Sequence, residues 1–303
     1  MNHNPNLDTK TLLTTFLSAR CHNTATAYHL DLFDFAKYLI NTKSITQACH
    51  RLLANGHREA NDLAINYRNH LIERRLQPAT VNRRLATLRA LVKLAINLGL
   101  IDWQLRPDKL PNKPYRDTTG PTPGTIAQML EHLAQQQTAI ATRNIAILRL
   151  LFDLGLRRGE VTNLDLVDLD LNNDTIAVTA KGQKHKDALT LPDPTKRALI
   201  DWLGVRGYHP GPLFLSATSG HRRRITGKAI WRMIRNLGHL LGTTVRPHGL
   251  RHAAITEALN QTNGNVRAVQ RFSRHKDVRV VLAYDDNRSD VAAAIAASIA
   301  NSV

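Results

Sequence analysis

The chain has 303 residues, is 43% hydrophobic and contains 12 prolines and 16 glycines, which excludes a disordered or fibrous protein and suggests two domains. Lys and Arg outnumber Asp and Glu by 41 to 24, and the resulting net charge of +17 points to a polyanionic partner, most commonly nucleic acid. The N-terminus has no basic-then-apolar signal pattern and no apolar run reaches the roughly 18 residues that span a bilayer, so we expect a cytoplasmic protein with no membrane partner.

The two cysteines, Cys21 and Cys49, give no sign of metal or redox chemistry. They form neither a C-x-x-C pair nor another metal-ligand spacing. We therefore expect both to be small, buried, apolar side chains in a reducing compartment.

Helical periodicity fills the first third of the chain. Apolar residues recur at helical spacing from Thr24 to Ile40, and a second helix is predicted after Pro78, with its end near Gly99. One face of this second helix is apolar and consists of Val81, Leu85, Leu88, Val92 and Ala95. The opposite face carries Arg83, Arg84 and Thr87. The pattern alone is compatible with two interpretations, a DNA-contacting face or a face exposed only to solvent.

Residues 106–124, RPDKLPNKPYRDTTGPTPG, interrupt the helical pattern. Five prolines in this stretch cannot sustain a helix, so we interpret it as an interdomain linker. The sequence thus predicts a helical DNA-binding domain over 1–105, a linker over 106–124 and a second domain over 125–303.

The second domain begins with helical periodicity from Thr125 to Gly155. Two β-rich stretches, Thr175–Thr179 and Ala188–Leu191, then flank the basic sequence KGQKHK. This arrangement predicts a β-hairpin with a basic tip.

The remainder of the chain is predicted to be helical. A short helix is expected over 196–203, and the basic run 221–224 leads into another over 227–241. Turns are expected near Gly264 and Ser273. The expected fold class is therefore mainly α with a small β-hairpin or sheet in the second domain, an α+β fold.

Four separated pieces of the second domain carry residues suited to chemistry. They are Gly155–Glu160 (GLRRGE), Lys181 at the hairpin tip, His248–Arg251 (HGLR), and His275 with Tyr284 nine residues later. Taken singly, each has an ordinary structural explanation, such as an arginine paired with a carboxylate or a tyrosine packed in a core.

Two residue pairs have the spacing of metal ligands, but neither predicts a metal site. His248 and His252 are four residues apart like a zinc pair, but no H-E-x-x-H is present. Asp285 and Asp286 are better explained as a polar start to the last helix. We therefore expect no metal and no other cofactor.

In this order, the four pieces resemble the tyrosine recombinase, or phage integrase, family of the two-domain type. The N-terminal stretches TATAYHLDLFDFAKYL and PATVNRRLATLRALVKLAINLGLI resemble its helical core-binding domain, and RNIAILRLLFDLGLRRGEVTNLDLVDLDL resembles its first arginine box. The chain departs from the family pattern before His275, where Ser273–Arg274 stand in place of the frequent Leu–Gly.

The resemblance implies a site-specific DNA recombinase that needs neither metal nor ATP. Guanidinium groups match the forked geometry of phosphate and stay charged, so Arg157 and Arg251 are expected to hold the non-bridging oxygens. A tyrosine forms an aryl phosphodiester that stays reactive enough for rejoining, so Tyr284 is the expected nucleophile.

The other catalytic residues are expected to move protons or orient groups. His248 shares a helix turn with the second arginine and is the expected general base. Lys181 is the expected general acid, with Lys184 as the alternative. His275 is expected to hydrogen bond a non-bridging oxygen, and Glu160 to orient the arginines.

The resemblance also implies a substrate and an assembly. The substrate would be double-stranded DNA with specific recombination sites, bound by a homotetramer that exchanges strands through 3′-phosphotyrosine and a Holliday junction. Residues expected to contact DNA are Arg83, Arg84, Thr87, Lys184, Arg222, Arg223 and Arg224. Two alternatives stay open: a DNA topoisomerase with the same nucleophile, and a catalytically silent DNA-binding accessory protein of this fold.

The end of the chain carries Val291, Ile295 and Ile299 at four-residue steps. They predict a short apolar helix, which either packs on its own domain or docks into an apolar groove of a neighbouring protomer. The resemblance favours docking, because family members commonly exchange C-terminal segments around a cyclic tetramer.

Overall fold

The computed structural model describes residues 8–40, 44–111, 120–180, 185–216, 223–286 and 291–301. The chain divides into two compact units, Met1–Tyr115 and Arg116–Val303. The predicted linker, 106–124, extends to both sides of this division and lies partly outside the described residues, so its extent stays a prediction.

The first unit is helical. Its helices are α1 (Thr9–Ser18), α2 (His22–Ile40), α3 (Ile45–Ala54), α4 (His57–Glu73) and α5 (Pro78–Asn97). Local signals set several of the ends. Asp8 accepts hydrogen bonds from the Lys10 and Thr11 backbone N–H groups and caps α1. Gly99, at φ +69°, follows α5 as predicted, in the left-handed region that glycine tolerates at helix ends.

The core of the first unit confirms the predicted apolar face of α5. All five predicted positions are at most 1% exposed. They pack with buried residues of the other four helices, among them Phe16, Phe35, Leu52 and Tyr67.

Two predictions for the first unit are wrong. Thr87 does not share the exposed face of α5: it is 0% exposed, and its hydroxyl donates to Asp31 Oδ2 at 2.9 Å. Cys49 is buried as expected, but Cys21 is exposed. Cys21 lies in the short connection between α1 and α2, and such connections run over the surface.

The second unit is a mainly helical assembly around a small sheet, which confirms the predicted fold class. Its helices are α6 (Pro123–Gln135), α7 (Ala139–Asp153), α8 (Arg158–Asn163), α9 (Asp193–Arg206), α10 (Gly227–Leu240), α11 (Pro247–Gln261), α12 (Val266–Ser273), α13 (Val278–Asp286) and α14 (Val291–Ala300). The strands are β1 (Leu169–Asp170), β2 (Thr175–Thr179) and β3 (Lys186–Thr190).

The sheet has the order β1-β2-β3, and both strand pairs are antiparallel. The predicted hairpin is β2 with β3, in a register that pairs Ala177 with Ala188. Ile176 and Val178 of β2 point into the core. The two-residue strand β1 was too short to predict from periodicity.

Helix α7 lies at the centre of the second unit and packs against α6, α9 and α11. The periodicity from Thr125 to Gly155 belongs to two helices, because Gln137 takes φ +48° and Thr138 caps α7. Helix α9 begins at Asp193, earlier than expected, since Pro194 is compatible with a first helical turn. Within the described ranges, no helix is long and apolar enough to cross a membrane.

Candidate active site

The first arginine box forms a sharp turn between α7 and α8. Gly155 takes φ +54°, and an added Cβ would lie 3.3 Å from the Phe272 ring. A side chain there would strain the backbone and crowd the ring, so the turn needs glycine. Two residues later the chain enters α8, with Arg157 at its N-cap.

Glu160 holds Arg157 from two sides. One carboxylate oxygen accepts from the Arg157 backbone N–H at 2.9 Å, and the other accepts from Arg157 Nη1 at 2.8 Å. Because Glu160 is only 6% exposed, this pair orients the guanidinium in a partly dry environment. The orienting role predicted for Glu160 requires such a contact with Arg157.

Arg251 on α11 ties three segments of the site together. It is 1% exposed, and its guanidinium donates to the backbone carbonyls of Gly155 and Ser273. Its Nη2 also lies 3.3 Å from His275 Nε2. Burial and the neighbouring Arg157 and Arg274 charges lower the pKa of Arg251 to about 10, so it stays a cation at neutral pH.

These arginines face an open pocket of about 370 Å³. Its lining among the described residues consists of Arg157, Arg158, Gly159, Trp231, Arg246, Pro247, His248 and Arg251, and includes no carboxylate. The N-terminus of α11 opens onto the same space, adding the positive end of a helix dipole. The pocket is therefore built for an anion.

His275 is held beside Arg251. Its Nδ1 lies 2.9 Å from Ser273 Oγ, and its ring stacks on Tyr284 with the centroids 6.4 Å apart. Burial, followed by the charges of Arg251 and Arg157, lowers the pKa of His275 to about 4. His275 is therefore neutral at pH 7 and can donate or accept a hydrogen bond without adding charge.

Tyr284 on α13 is 4% exposed. Its hydroxyl is hydrogen bonded to His252 Nδ1, and the two ring centroids are 5.1 Å apart. Burial raises the pKa of Tyr284 to about 12, outweighing the Arg251 and Arg157 charges, which lower it. The phenol therefore carries its proton at neutral pH.

His248 lies one position into α11, on the pocket wall. Removal from water lowers its pKa, and the Arg251 and Arg157 charges add to the effect. Its ring meets the His252 ring edge-on, with the centroids 4.2 Å apart. His248 and His252 thus form a continuous ring contact from the anion pocket to Tyr284.

The structure brings together six of the predicted site residues: Arg157, Glu160, His248, Arg251, His275 and Tyr284. Three others, Lys181, Lys184 and Arg222, lie outside the described residues.

The described residues predicted to contact DNA differ in their surroundings. Arg223 is exposed, whereas Arg224 donates to the Thr162 and Leu164 carbonyls and pairs with Asp165. In the first unit, Arg83 pairs with Asp31 and Arg84 with Asp34. DNA contact by these arginines stays a prediction, while the buried Thr87 hydroxyl is engaged inside its unit.

Sequence reasoning missed two residues of the site, His252 and Arg274. The signal for His252 is its position four residues after His248, a spacing that places both on one face of a helix and also resembles a zinc pair. Arg274 takes φ +55°, and its Nη2 lies 3.3 Å from Glu160 Oε2. It was visible only as a departure from the family pattern, because no periodicity predicts a left-handed arginine.

Comparisons with known proteins agree with this geometry. Residues 122–290 match the sequence profile of the Phage integrase family. The chain is 35% identical over 277 residues to Tyrosine recombinase slr0733 of Synechocystis sp., covering 89% of this chain and 88% of that protein. A tyrosine recombinase of Synechococcus elongatus is 33% identical over 281 residues, covering 89% of this chain and 87% of that protein.

Two solved structures share the fold. One is the XerH site-specific recombinase bound to a palindromic difH substrate, with a TM-score of 0.68 and 18% identity over 98% of this chain and 86% of that one. The other is a lambda integrase dimer bound to a core site, with a TM-score of 0.64 and 15% identity over 93% of this chain and 77% of that one. The sequence matches and the assembled arginine, histidine and tyrosine residues lead to one conclusion: the chain belongs to the phage integrase family of tyrosine recombinases.

Proposed function

We propose that this site-specific DNA recombinase cleaves and rejoins strands through a covalent 3′-phosphotyrosine at Tyr284, without ATP or a metal ion. One observation carries the proposal. Tyr284 and His275 lie against Arg251, which lines the same anion pocket as Arg157 and His248. A nucleophile beside an arginine-lined pocket is what attack on a phosphodiester requires.

The scissile phosphate would bind in this pocket. Arg157 and Arg251 would contact its non-bridging oxygens, with His248 and His275 as further hydrogen-bonding groups. Preorganised cations stabilise the charge that develops in the transition state, and here they are held in advance by Glu160 and by backbone carbonyls. Positioning and electrostatic stabilisation of the transition state would therefore supply most of the rate acceleration.

The reaction is tested directly by trapping its intermediate. The protein is incubated in EDTA, without nucleotide, with a nicked suicide duplex that loses its free 5′-hydroxyl strand. We expect a covalent adduct whose peptide maps to Tyr284. An adduct on another residue, or none under these conditions, would contradict the proposal. Pairing of two sites, rather than relaxation of one supercoiled circle, separates a recombinase from a topoisomerase.

Lys181 is proposed as the acid that protonates the departing 5′-oxygen. Strands β2 and β3 flank its segment, 181–185, in sequence. Lys181→Ala is expected to slow cleavage of ordinary DNA by roughly 10²–10⁴-fold, the usual effect of losing a positioned acid. A substrate with a bridging sulfur as leaving atom needs no proton and should recover most of that rate.

Lys184→Ala is the matched control for Lys181→Ala, because Lys184 belongs to the same basic segment. It is expected to weaken DNA affinity slightly and to respond equally to both substrates. A larger, sulfur-sensitive defect in Lys184→Ala would transfer the acid role to that residue.

We also propose a homotetramer on two synapsed sites, held together in part by α14. The last turn of α14 is exposed, and Ile299 keeps 61% of its surface accessible. This end of the helix is therefore not buried in its own unit, which supports docking on a neighbouring protomer. Head-to-tail exchange of such a helix closes into a ring.

Deletion of 290–303 is expected to leave single-site DNA binding largely intact while weakening synapsis and recombination. Ile299→Asp, which removes the apolar contact and keeps the helix, should act in the same direction. Gel shifts and recombination assays on the same preparations check this, after thermal melting has shown that both variants fold. Recombination at the wild-type rate by the truncated protein would exclude the docking role.

A further inference from the structure

The hydroxyl of Tyr284 has a specific partner, and that partner is none of the residues that the family resemblance implies. It is hydrogen bonded to His252 Nδ1. His252 follows Arg251 on α11, and α11 packs directly against α13, which carries Tyr284. Arg251 and His252 are thus adjacent residues of one helix. Arg251 lines the anion pocket, and His252 contacts the Tyr284 hydroxyl.

The phenolic proton must leave Tyr284 when its oxygen attacks phosphorus. Tyr284 is 4% exposed, which leaves little access for water. His275 makes its contacts elsewhere, with Nδ1 on Ser273 and Nε2 on Arg251. His248 lines the anion pocket and contacts the His252 ring, and it is the His252 ring that contacts Tyr284. Of the three histidines, His252 has a nitrogen hydrogen bonded to the oxygen that reacts.

We propose that His252 is a catalytic residue that takes the Tyr284 proton during strand cleavage and returns it during rejoining. The proposal rests on the proposed function, in which Tyr284 is the nucleophile. As the Tyr284 oxygen–phosphorus bond forms, the phenolic proton moves to His252 Nδ1. The phosphorus–O5′ bond breaks, and the 5′-oxygen receives a proton from the general acid. Rejoining reverses each transfer, so protons and charges balance over the cycle.

This role determines which ring nitrogen of His252 carries the proton before the reaction. For Nδ1 to accept, neutral His252 must carry its proton on Nε2. The imidazolium formed by the transfer would lie against the His248 ring, 4.2 Å between centroids. His248 is then free to contact the phosphate, which removes the need for one imidazole both to take the proton and to contact the phosphate.

The first test separates proton transfer from positioning. His252→Asn keeps a hydrogen-bond acceptor near the place of Nδ1 but cannot hold a proton, whereas His252→Ala removes both. Single-turnover cleavage of the suicide duplex is measured after thermal melting has shown that the variants fold. We expect both variants to cleave about 10²–10⁴-fold more slowly with DNA affinity unchanged. A near-normal rate in His252→Asn would reduce His252 to a positioning residue and overturn the proposal.

The second test lowers the demand for a base. Tyr284 is replaced by 3,5-difluorotyrosine, whose phenol is more acidic, in the wild type and in His252→Asn. The fluorinated residue should recover most of the lost rate in His252→Asn and change the wild-type rate little. Equal effects in both backgrounds would overturn the proposal.

The control is His209→Ala, because His209 lies in an exposed loop of the same unit and should leave the rate unchanged. Failure of the proposed function is recognised separately. In that case the trapped wild-type peptide does not contain Tyr284. If only the His252 role fails, the adduct is still on Tyr284, and only the cleavage rates of the His252 variants differ from the expected values.

Discussion

Tyr284→Phe is expected to retain specific DNA binding and to form no covalent protein–DNA product. The substitution removes one oxygen and keeps the ring that packs with Ile255, Leu259, Val269 and Val281. The anion pocket does not include Tyr284 in its lining, so the arginines that would bind phosphate are unaffected. Without the hydroxyl the proposed nucleophile is absent, and the loss of cleavage should be complete rather than graded.

Denaturing gels after incubation with the nicked suicide duplex measure the product, and gel shifts measure binding. Tyr208→Phe is the matched control, since Tyr208 is 69% exposed and lies in a loop of the same unit. It should trap DNA as the wild type does. A shifted covalent band with Tyr284→Phe would mean that another residue is the nucleophile.

Loss of the hydroxyl also removes the hydrogen bond to His252. An unsatisfied His252 nitrogen costs on the order of 1–3 kcal/mol where water cannot replace the partner. His252 is partly exposed, so we expect a loss of unfolding free energy at the small end of this range and only a slight fall in the melting temperature. The covalent defect of Tyr284→Phe is therefore expected in a well-folded protein.

Arg251→Lys is expected to reduce the cleavage rate by about 10³–10⁵-fold, the range for removing an arginine that stabilises a phosphoryl-transfer transition state. Lysine keeps a positive charge but has no planar fork. It cannot reach the Gly155 and Ser273 carbonyls and a phosphate oxygen at the same time. Burial already lowers the pKa of Arg251 to about 10, and a lysine there would lose its charge more readily.

Single-turnover cleavage and thermal melting are measured on the same preparation of Arg251→Lys. Arg197→Lys is the matched control, because Arg197 is exposed on α9 and the substitution makes the same chemical change outside the site. It should leave the rate unchanged. A folded Arg251→Lys protein that cleaves within a factor of ten of the wild type would contradict the transition-state role.

The arrangement around Glu160 explains how several cations are kept together before DNA binds. One carboxylate contacts both Arg157 and Arg274, while Arg251 is held by backbone carbonyls. These partners offset part of the repulsion among the three guanidiniums. Burial, and after it the charges of the neighbouring arginines, lowers the pKa of Arg251 and Arg274, and a bound phosphate would relieve the remaining repulsion. The remaining repulsion among the guanidiniums therefore favours anion binding.

Much of the fold could be predicted because its signals are local. Helix α5 has a proline at its first position, a glycine after its end and an apolar face in between, and each of these acts within a few residues. The hairpin of β2 and β3 was predictable from two β-rich runs around a short basic segment. Local signals failed where tertiary packing overrode them, as at Thr87, whose hydroxyl is buried against Asp31 of another helix.

By itself, the sequence determined the mainly helical character of both units, individual helices such as α5, the hairpin and the chemical identity of the residues now assembled around the pocket. Only the tertiary structure decided which of them touch. Tyr284 and His252 are 32 positions apart, and their hydrogen bond depends on how α13 packs on α11. Arg274 reaches Glu160 across 114 positions through a left-handed turn. Periodicity assigns a residue to a face of its own helix, but the neighbour it meets depends on close packing of several elements at once. That is why the sequence predicted the nucleophile, whereas its hydrogen-bond partner became apparent only in the folded protein.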